Sequence, residues 1–147
     1  MNHEECIICK KHREEETVIY QDDLIYVSHY LPRPDKSDNY LGYYFIEPRR
    51  HFRGIYDATD DEMNAIGSMM KKLGKALMAI PNMEHVYSVI FGDGVYHVHI
   101  HMIGRYQDAP AEYRGIRVDD WPRAPRGGKE EINKFNEIVK EELDKGL

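Results

Sequence analysis

The chain reads as an α+β protein, a largely antiparallel sheet flanked by helices. Short strand-like runs come first, a long helical pattern follows, and two more strands precede a second helix. That order lacks the strict strand–helix alternation of a doubly wound fold. The 147 residues suit a single domain over 1–147. Residues 1–106 read as its core, and residues 107–147 as a C-terminal loop and amphipathic helix.

Lys10–Glu16 is polar and reads as loop or a short helical turn. Thr17–Tyr20 and Leu24–Tyr30 are β-rich runs split by Gln21-Asp22-Asp23, which predicts two strands. Pro32–Asn39 carries Pro, Asp and Ser and reads as loop. Tyr40–Glu47 is aromatic and apolar, a central strand that stops at Pro48. Thr59-Asp60-Asp61-Glu62 is a capping box opening a helix. Met63, Ile66, Met69, Leu73, Leu77 and Ile80 then recur at helical spacing, and Pro81 ends the pattern. The methionines on that stripe read as core. His85–Phe91 and Val95–Arg105 predict two strands joined at a Gly92-Asp93-Gly94 hairpin. Tyr106–Gly128 is irregular and holds the single tryptophan, Trp121. Ile132, Phe135, Val139 and Leu143 then mark an amphipathic helix docked on the domain.

A net charge of -6 argues against broad nucleic-acid binding through a basic surface. No segment is apolar enough to span a bilayer, so no membrane partner is expected. The opening Met-Asn-His-Glu-Glu-Cys is polar, unlike a signal or transit peptide, and the expected location is cytoplasmic.

Chemistry concentrates in His97-Val98-His99-Ile100-His101-Met102-Ile103. On a strand, side chains alternate between faces. His97, His99 and His101 then share one face, while Val98, Ile100 and Met102 pack inward. Three unpartnered imidazoles would be costly to bury, which places them on a cleft or surface.

Cys6-Ile7-Ile8-Cys9 has the spacing of a zinc knuckle. A redox pair normally follows a strand and opens a helix; only polar residues precede Cys6. Two arrangements can hold a metal. Cys6, Cys9, His51 and His97 would make a closed structural zinc site. Alternatively, His97, His99 and His101 would hold a metal with an open position for water, as in metal-hydroxide hydrolysis, which leaves the cysteines unexplained.

The motif His97-x-His99-x-His101-x-x, apolar at every x, resembles the signature of the histidine triad family of nucleotide hydrolases and transferases. Cys6-x-x-Cys9, the strand ending in Pro48-Arg49-Arg50-His51, the following helix and Ile103-Gly104-Arg105-Tyr106 fall in that family's order. The resemblance implies a histidine triad fold, a homodimer, a nucleotide substrate and structural zinc on Cys6, Cys9, His51 and His97. It implies that His99 is the nucleophile attacking the α-phosphorus of a nucleoside phosphoramidate or dinucleoside polyphosphate. His101 would contact the phosphate and help the leaving group. A third histidine in place of glutamine leans towards hydrolysis.

The chain also departs from the family pattern. His29 stands where many members place a ribose-binding aspartate. A Gly-His pair becomes Gly42-Tyr43, and a Gly-Gln-Ser/Thr turn becomes Gly92-Asp93-Gly94, without the hydroxyl that serves the leaving group. These changes also motivate a second reading, a nucleotide-binding module without turnover. Candidate substrate contacts are His29, Asp93, Gly94 and Arg126. His29 reads equally as a core histidine. Trp121–Gly128 reads as a loop closing over the site with Arg126, or as a plain structural wrap. His3, His12 and His85 read as surface residues, and most loop arginines as a solvated face paired with Asp119 and Asp120. Tyr40, Tyr43 and Tyr44 read as sheet packing, with one available to line a base pocket.

Overall fold

In the computed structural model, residues 5–14, 17–31 and 37–146 are described. His3, Arg33 and most of the Pro32–Asn39 loop lie outside them. Five strands form one antiparallel sheet: β1 (Val18–Gln21), β2 (Ile25–His29), β4 (Tyr43–Pro48), β5 (Met83–Val89) and β6 (Ile100–Tyr106), in the order β1-β2-β4-β6-β5. A second, two-stranded sheet pairs β3 (Asn39–Tyr40) with β7 (Arg126–Gly127). Helix α1 (Ile7–Glu14) precedes the sheet, α2 (Asp60–Met78) crosses between β4 and β5, and α3 (Lys129–Lys145) closes the chain. The predicted α+β class therefore holds.

Helix α2 begins where Thr59 Oγ1 accepts the Glu62 backbone N–H at 3.1 Å. The box is only half made, because the Glu62 carboxylate turns to Arg50 instead, 2.9 Å from its Nε. Ile66, Met69, Leu73 and Leu77 form the buried stripe of α2, which packs on β4, β5 and β6. Helix α3 buries Ile132, Val139 and Leu143 and packs against α2. A hydrogen bond of 2.7 Å from the buried Tyr44 Oη to Asn136 Oδ1 pins α3 to the central strand.

Two strand predictions need correction. Tyr40–Glu47 is not continuous: the chain leaves β3 at Tyr40, turns at Leu41-Gly42 and re-enters the large sheet as β4. Gly42 has a φ of 101°, which favours glycine. Gly92-Asp93-Gly94 is not a tight hairpin either. Ladder pairing ends at Val89 opposite His101, so residues 90–99 form a long connection and β6 starts at Ile100. His97 and His99 precede the ladder. Alternation persists through them, because Val98 N–H donates to Phe52 O at 2.9 Å and Val98, Ile100 and Met102 are buried.

Register defines two faces. His101 lies opposite Phe45, and Phe45 opposite Ser28, so these share one face with Tyr26 and Glu47. Met102, Tyr44 and His29 are aligned on the other face, towards Phe135 of α3. Helix α1 lies over the first face near Glu47.

Candidate metal centre and histidine cavity

The order of elements brings four distant residues together. Cys6 precedes α1, Cys9 lies in its first turn, His51 follows β4, and His97 lies near the end of the long connection to β6. Their donor atoms all lie within 4.8 Å of one another. His97 Nδ1 is 3.5 Å from both sulfurs, and His51 Nδ1 is 3.5 Å from Cys9 Sγ. Metal–sulfur bonds of about 2.3 Å and metal–nitrogen bonds of about 2.05 Å at tetrahedral angles separate S and N by about 3.5 Å. The donors fit a tetrahedral zinc ion.

Orientation supports the same fit. His97 Nε2–H donates to Pro48 O at 2.7 Å, leaving the Nδ1 lone pair towards the sulfurs. Burial pushes His97 down to about 4, so the ring stays neutral. Burial, with Cys6 beside it, pushes the Cys9 thiol up to about 11. A helix does open at Ile7, as a redox motif requires, but a raised Cys9 is the reverse of an activated thiol. A bound cation would offset the same burial and draw off the protons. The three triad histidines do not converge as ligands: His97 faces the cysteines, His99 Nδ1 bonds a carbonyl and His101 Nδ1 bonds a tyrosine.

Beside this cluster lies a cavity of about 350 Å³ between α1 and the sheet. Ile7, Ile8, Tyr30, Leu31, Phe45 and Val95 give it apolar walls, and His99, His101, Lys11 and Glu47 supply polar groups. His99 Nδ1–H donates to His97 O at 2.7 Å. A carbonyl only accepts, so the His99 proton sits on Nδ1 and Nε2 carries the lone pair. His101 packs edge-on to Phe45, with ring centroids 4.9 Å apart, and accepts or donates at Nδ1 to Tyr43 Oη, 2.6 Å away. Burial, then the neighbouring His99, push His101 down to about 4. It is neutral at physiological pH.

Glu47, 1% exposed, is held by Lys11 Nζ at 2.7 Å and His12 Nε2 at 3.1 Å. Burial alone would raise its carboxyl, but the Lys11 charge and the hydrogen bonds from both partners outweigh that and lower it. His12 is therefore not a surface residue. It is buried and stacks on Tyr26 at 4.4 Å between centroids. His85 is exposed, as expected.

The remaining candidates lie elsewhere. His29 borders the cavity, but register turns its ring to the core face, 4.8 Å from Tyr44. Its Nδ1–H donates to Tyr30 O at 2.7 Å, and its Nε2 accepts Gly42 N–H at 3.0 Å. Burial pushes it down to about 4. Both nitrogens are spent on bracing the β4 turn, as in the core-histidine reading. Asp93 and Gly94 are exposed, and Asp93 lines a separate cleft with Arg53, Tyr56 and Phe91. The Arg126 guanidinium is held by the Asp119 carboxylate and by the Asp119 and Trp121 carbonyls, as in a structural wrap. Trp121 is itself buried. Glu47 and Lys11 were not singled out from sequence for the cavity, and Tyr43 only as one of three tyrosines available to line a base pocket. Strict alternation along Tyr43, Phe45 and Glu47 is the signal that would have grouped Tyr43 with Glu47.

Comparison with known proteins agrees with this geometry. Residues 4–115 match the family model described as scavenger mRNA decapping enzyme C-term binding. An uncharacterised HIT-like protein of Methanocaldococcus jannaschii is 26% identical over 148 residues, covering 97% of this chain and 95% of the relative. A zinc-bound histidine triad family protein from Mycobacterium smegmatis superposes with a TM-score of 0.71 at 15% identity, covering 99% of this chain and 100% of that one. A hypothetical histidine triad nucleotide-binding protein from Sulfolobus tokodaii gives 0.70 at 21% identity, covering 95% and 93%. A uridylyltransferase gives 0.68 at 18% identity, with this chain spanning 47% of its length. With the family model matching most of its length and the triad, the sheet and the Cys2His2 cluster in place, the chain belongs to the histidine triad family.

Proposed function

We propose that the protein is a nucleotide hydrolase that works through a covalent nucleotidyl-histidine on His99. The observation carrying this reading is the His99 ring itself. Its Nδ1–H is committed to the His97 carbonyl at 2.7 Å, so in the tautomer that attacks, the lone pair is on Nε2 beside the cavity. In the forward step, His99 Nε2 bonds to the α-phosphorus of a phosphoramidate or dinucleoside polyphosphate. The bond to the leaving nitrogen or oxygen breaks, and its electron pair departs with that group. Water then adds to phosphorus, the N–P bond breaks, and the nucleoside monophosphate leaves. A polar acceptor in place of water would make the same intermediate a transferase. The third histidine, rather than glutamine, supports hydrolysis.

Apolar walls from Ile8, Tyr30, Phe45 and Val95 suit a base, and His101 on the same cavity is placed to donate to a phosphate bound there. Cys6, Cys9, His51 and His97 would hold zinc. When bound, that ion supplies a structural crosslink between the α1 segment and the sheet, remote from bond breaking. A homodimer and a cytoplasmic location belong to the same reading, the first testable by light scattering.

The test is intact-protein mass spectrometry of the zinc-loaded protein after brief incubation with adenosine and guanosine phosphoramidates and diadenosine tetraphosphate, quenched at alkaline pH. A nucleoside monophosphate adduct in wild type, absent from a zinc-retaining His99→Ala variant, is expected. Turnover by His99→Ala at the wild-type rate would overturn the mechanism. Tight monophosphate binding with neither adduct nor product would replace it with the binding-module reading.

A further inference from the structure

The partner of His101 is the unexplained part of the cavity. Tyr43 Oη lies 2.6 Å from His101 Nδ1, and either group can donate. The separation is short for an N–H donor to oxygen, about 2.7–3.2 Å, and favours the hydroxyl as donor. The Tyr43 hydroxyl has no other acceptor among the described residues. Burial, then Asp119 and Tyr30, push its phenol up, so it keeps its proton. A neutral imidazole that accepts at Nδ1 carries its proton on Nε2. His101 Nε2 is buried and has no partner among the described residues. An N–H left bare in this way costs stability, and a bound acceptor would recover that cost.

We infer that Tyr43 is a positioning residue: its Oη–H donates to His101 Nδ1 and fixes the tautomer that presents Nε2–H to a phosphoryl oxygen. The inference rests on the nucleotidyl reading for the identity of that oxygen, and on geometry alone for the tautomer. It also limits what His101 does. Giving up the Nε2 proton would leave an imidazolate, or would pull the Tyr43 proton across and leave a tyrosinate. Burial disfavours both anions. His101 therefore donates a hydrogen bond to charge growing on phosphorus-bound oxygen, with no proton transferred and no bond broken at His101.

The experiment is long-range proton–nitrogen NMR on zinc-loaded protein labelled with nitrogen-15 histidine. Wild type is compared with Tyr43→Phe, and the His101 signals are identified by their loss in His101→Gln. Wild type is expected to show a neutral, Nε2-protonated His101. Tyr43→Phe is expected to show a tautomer-averaged ring, with unchanged zinc content. Adduct formation should slow about tenfold, the scale of one lost hydrogen bond. An Nδ1-protonated ring in wild type, or an identical ring in Tyr43→Phe, overturns the inference. If wild type forms no adduct, the nucleotidyl reading fails and with it the use of the donor. The NMR comparison still decides, separately, whether Tyr43 sets the tautomer.

Discussion

Lys11→Met is the sharpest test of how the cavity floor is held. Glu47 is 1% exposed and Lys11 24%, with 2.7 Å between their charged atoms. Removing one member of a buried pair costs about 3–5 kcal/mol, because the survivor is left charged in a poor solvent. His12 still donates to Glu47 at 3.1 Å, and Lys11 keeps some contact with water, so the low end, about 3 kcal/mol, is expected. For a chain of this size that lowers Tm by roughly 6–12 °C. Calorimetry of the zinc-loaded proteins at neutral pH reads it directly.

The pH dependence gives the second half of the test. The folded Glu47 carboxyl is lowered, so its stabilisation is present above the unfolded carboxylate value, about 4.3, and disappears as pH falls through the lower folded value. The gap between wild type and Lys11→Met should therefore close in acid. Adding Glu47→Gln to Lys11→Met should recover much of the loss at neutral pH, since no charge remains buried. A Lys11→Met cost below about 0.5 kcal/mol, or a gap independent of pH, would refute the reasoning.

Other outcomes follow from the same geometry. Cys9→Ser should lower zinc stoichiometry measured by atomic emission, and chelation should sharply lower the Tm of wild type, because α1 is tied to the sheet through Cys6 and Cys9. Tyr44→Phe should cost about 1–2 kcal/mol in urea unfolding, since it strands the buried Asn136 amide that accepts at 2.7 Å. If His101 supplies no proton, wild type should form adduct faster from diadenosine tetraphosphate, whose leaving phosphate departs as an anion, than from a phosphoramidate whose amine needs protonation. Equal rates in quenched-flow mass spectrometry would argue for an acid elsewhere in the site.

Much of this was legible in the residues. The alternation of His97 to His101 with Val98, Ile100 and Met102 predicted that those three apolar residues are buried, because two-residue periodicity survives even where the ladder has not yet begun. His97, expected on a cleft or surface, is instead fully buried among the cysteines and Pro48. The Cys6-x-x-Cys9 spacing found its two histidine partners through ligand chemistry. The break at Gly42 was hidden because Tyr40 and Tyr43 are both good strand residues, and only a positive φ at a glycine separates them. His12 and Glu47 were hidden for a different reason. Each is polar, and only the crossing of α1 over β4 reveals that each supplies the partner that permits the other's burial. His29 was ambiguous from residue type alone; register decides it, because one step along β2 exchanges the cavity side for the core.

His97 deserves a last consequence. Its ring belongs to the cysteine cluster, while its backbone oxygen receives the His99 proton. Ring and oxygen hang from the same Cα, so the two duties meet in one residue. A shift of the His97 backbone moves that oxygen, and the His99 imidazole must follow or lose this hydrogen bond. On the proposed mechanism, a residue remote from substrate thus helps aim the one that meets it. Faults at the cysteines should surface first as a displaced His99 ring, before the sheet itself gives way.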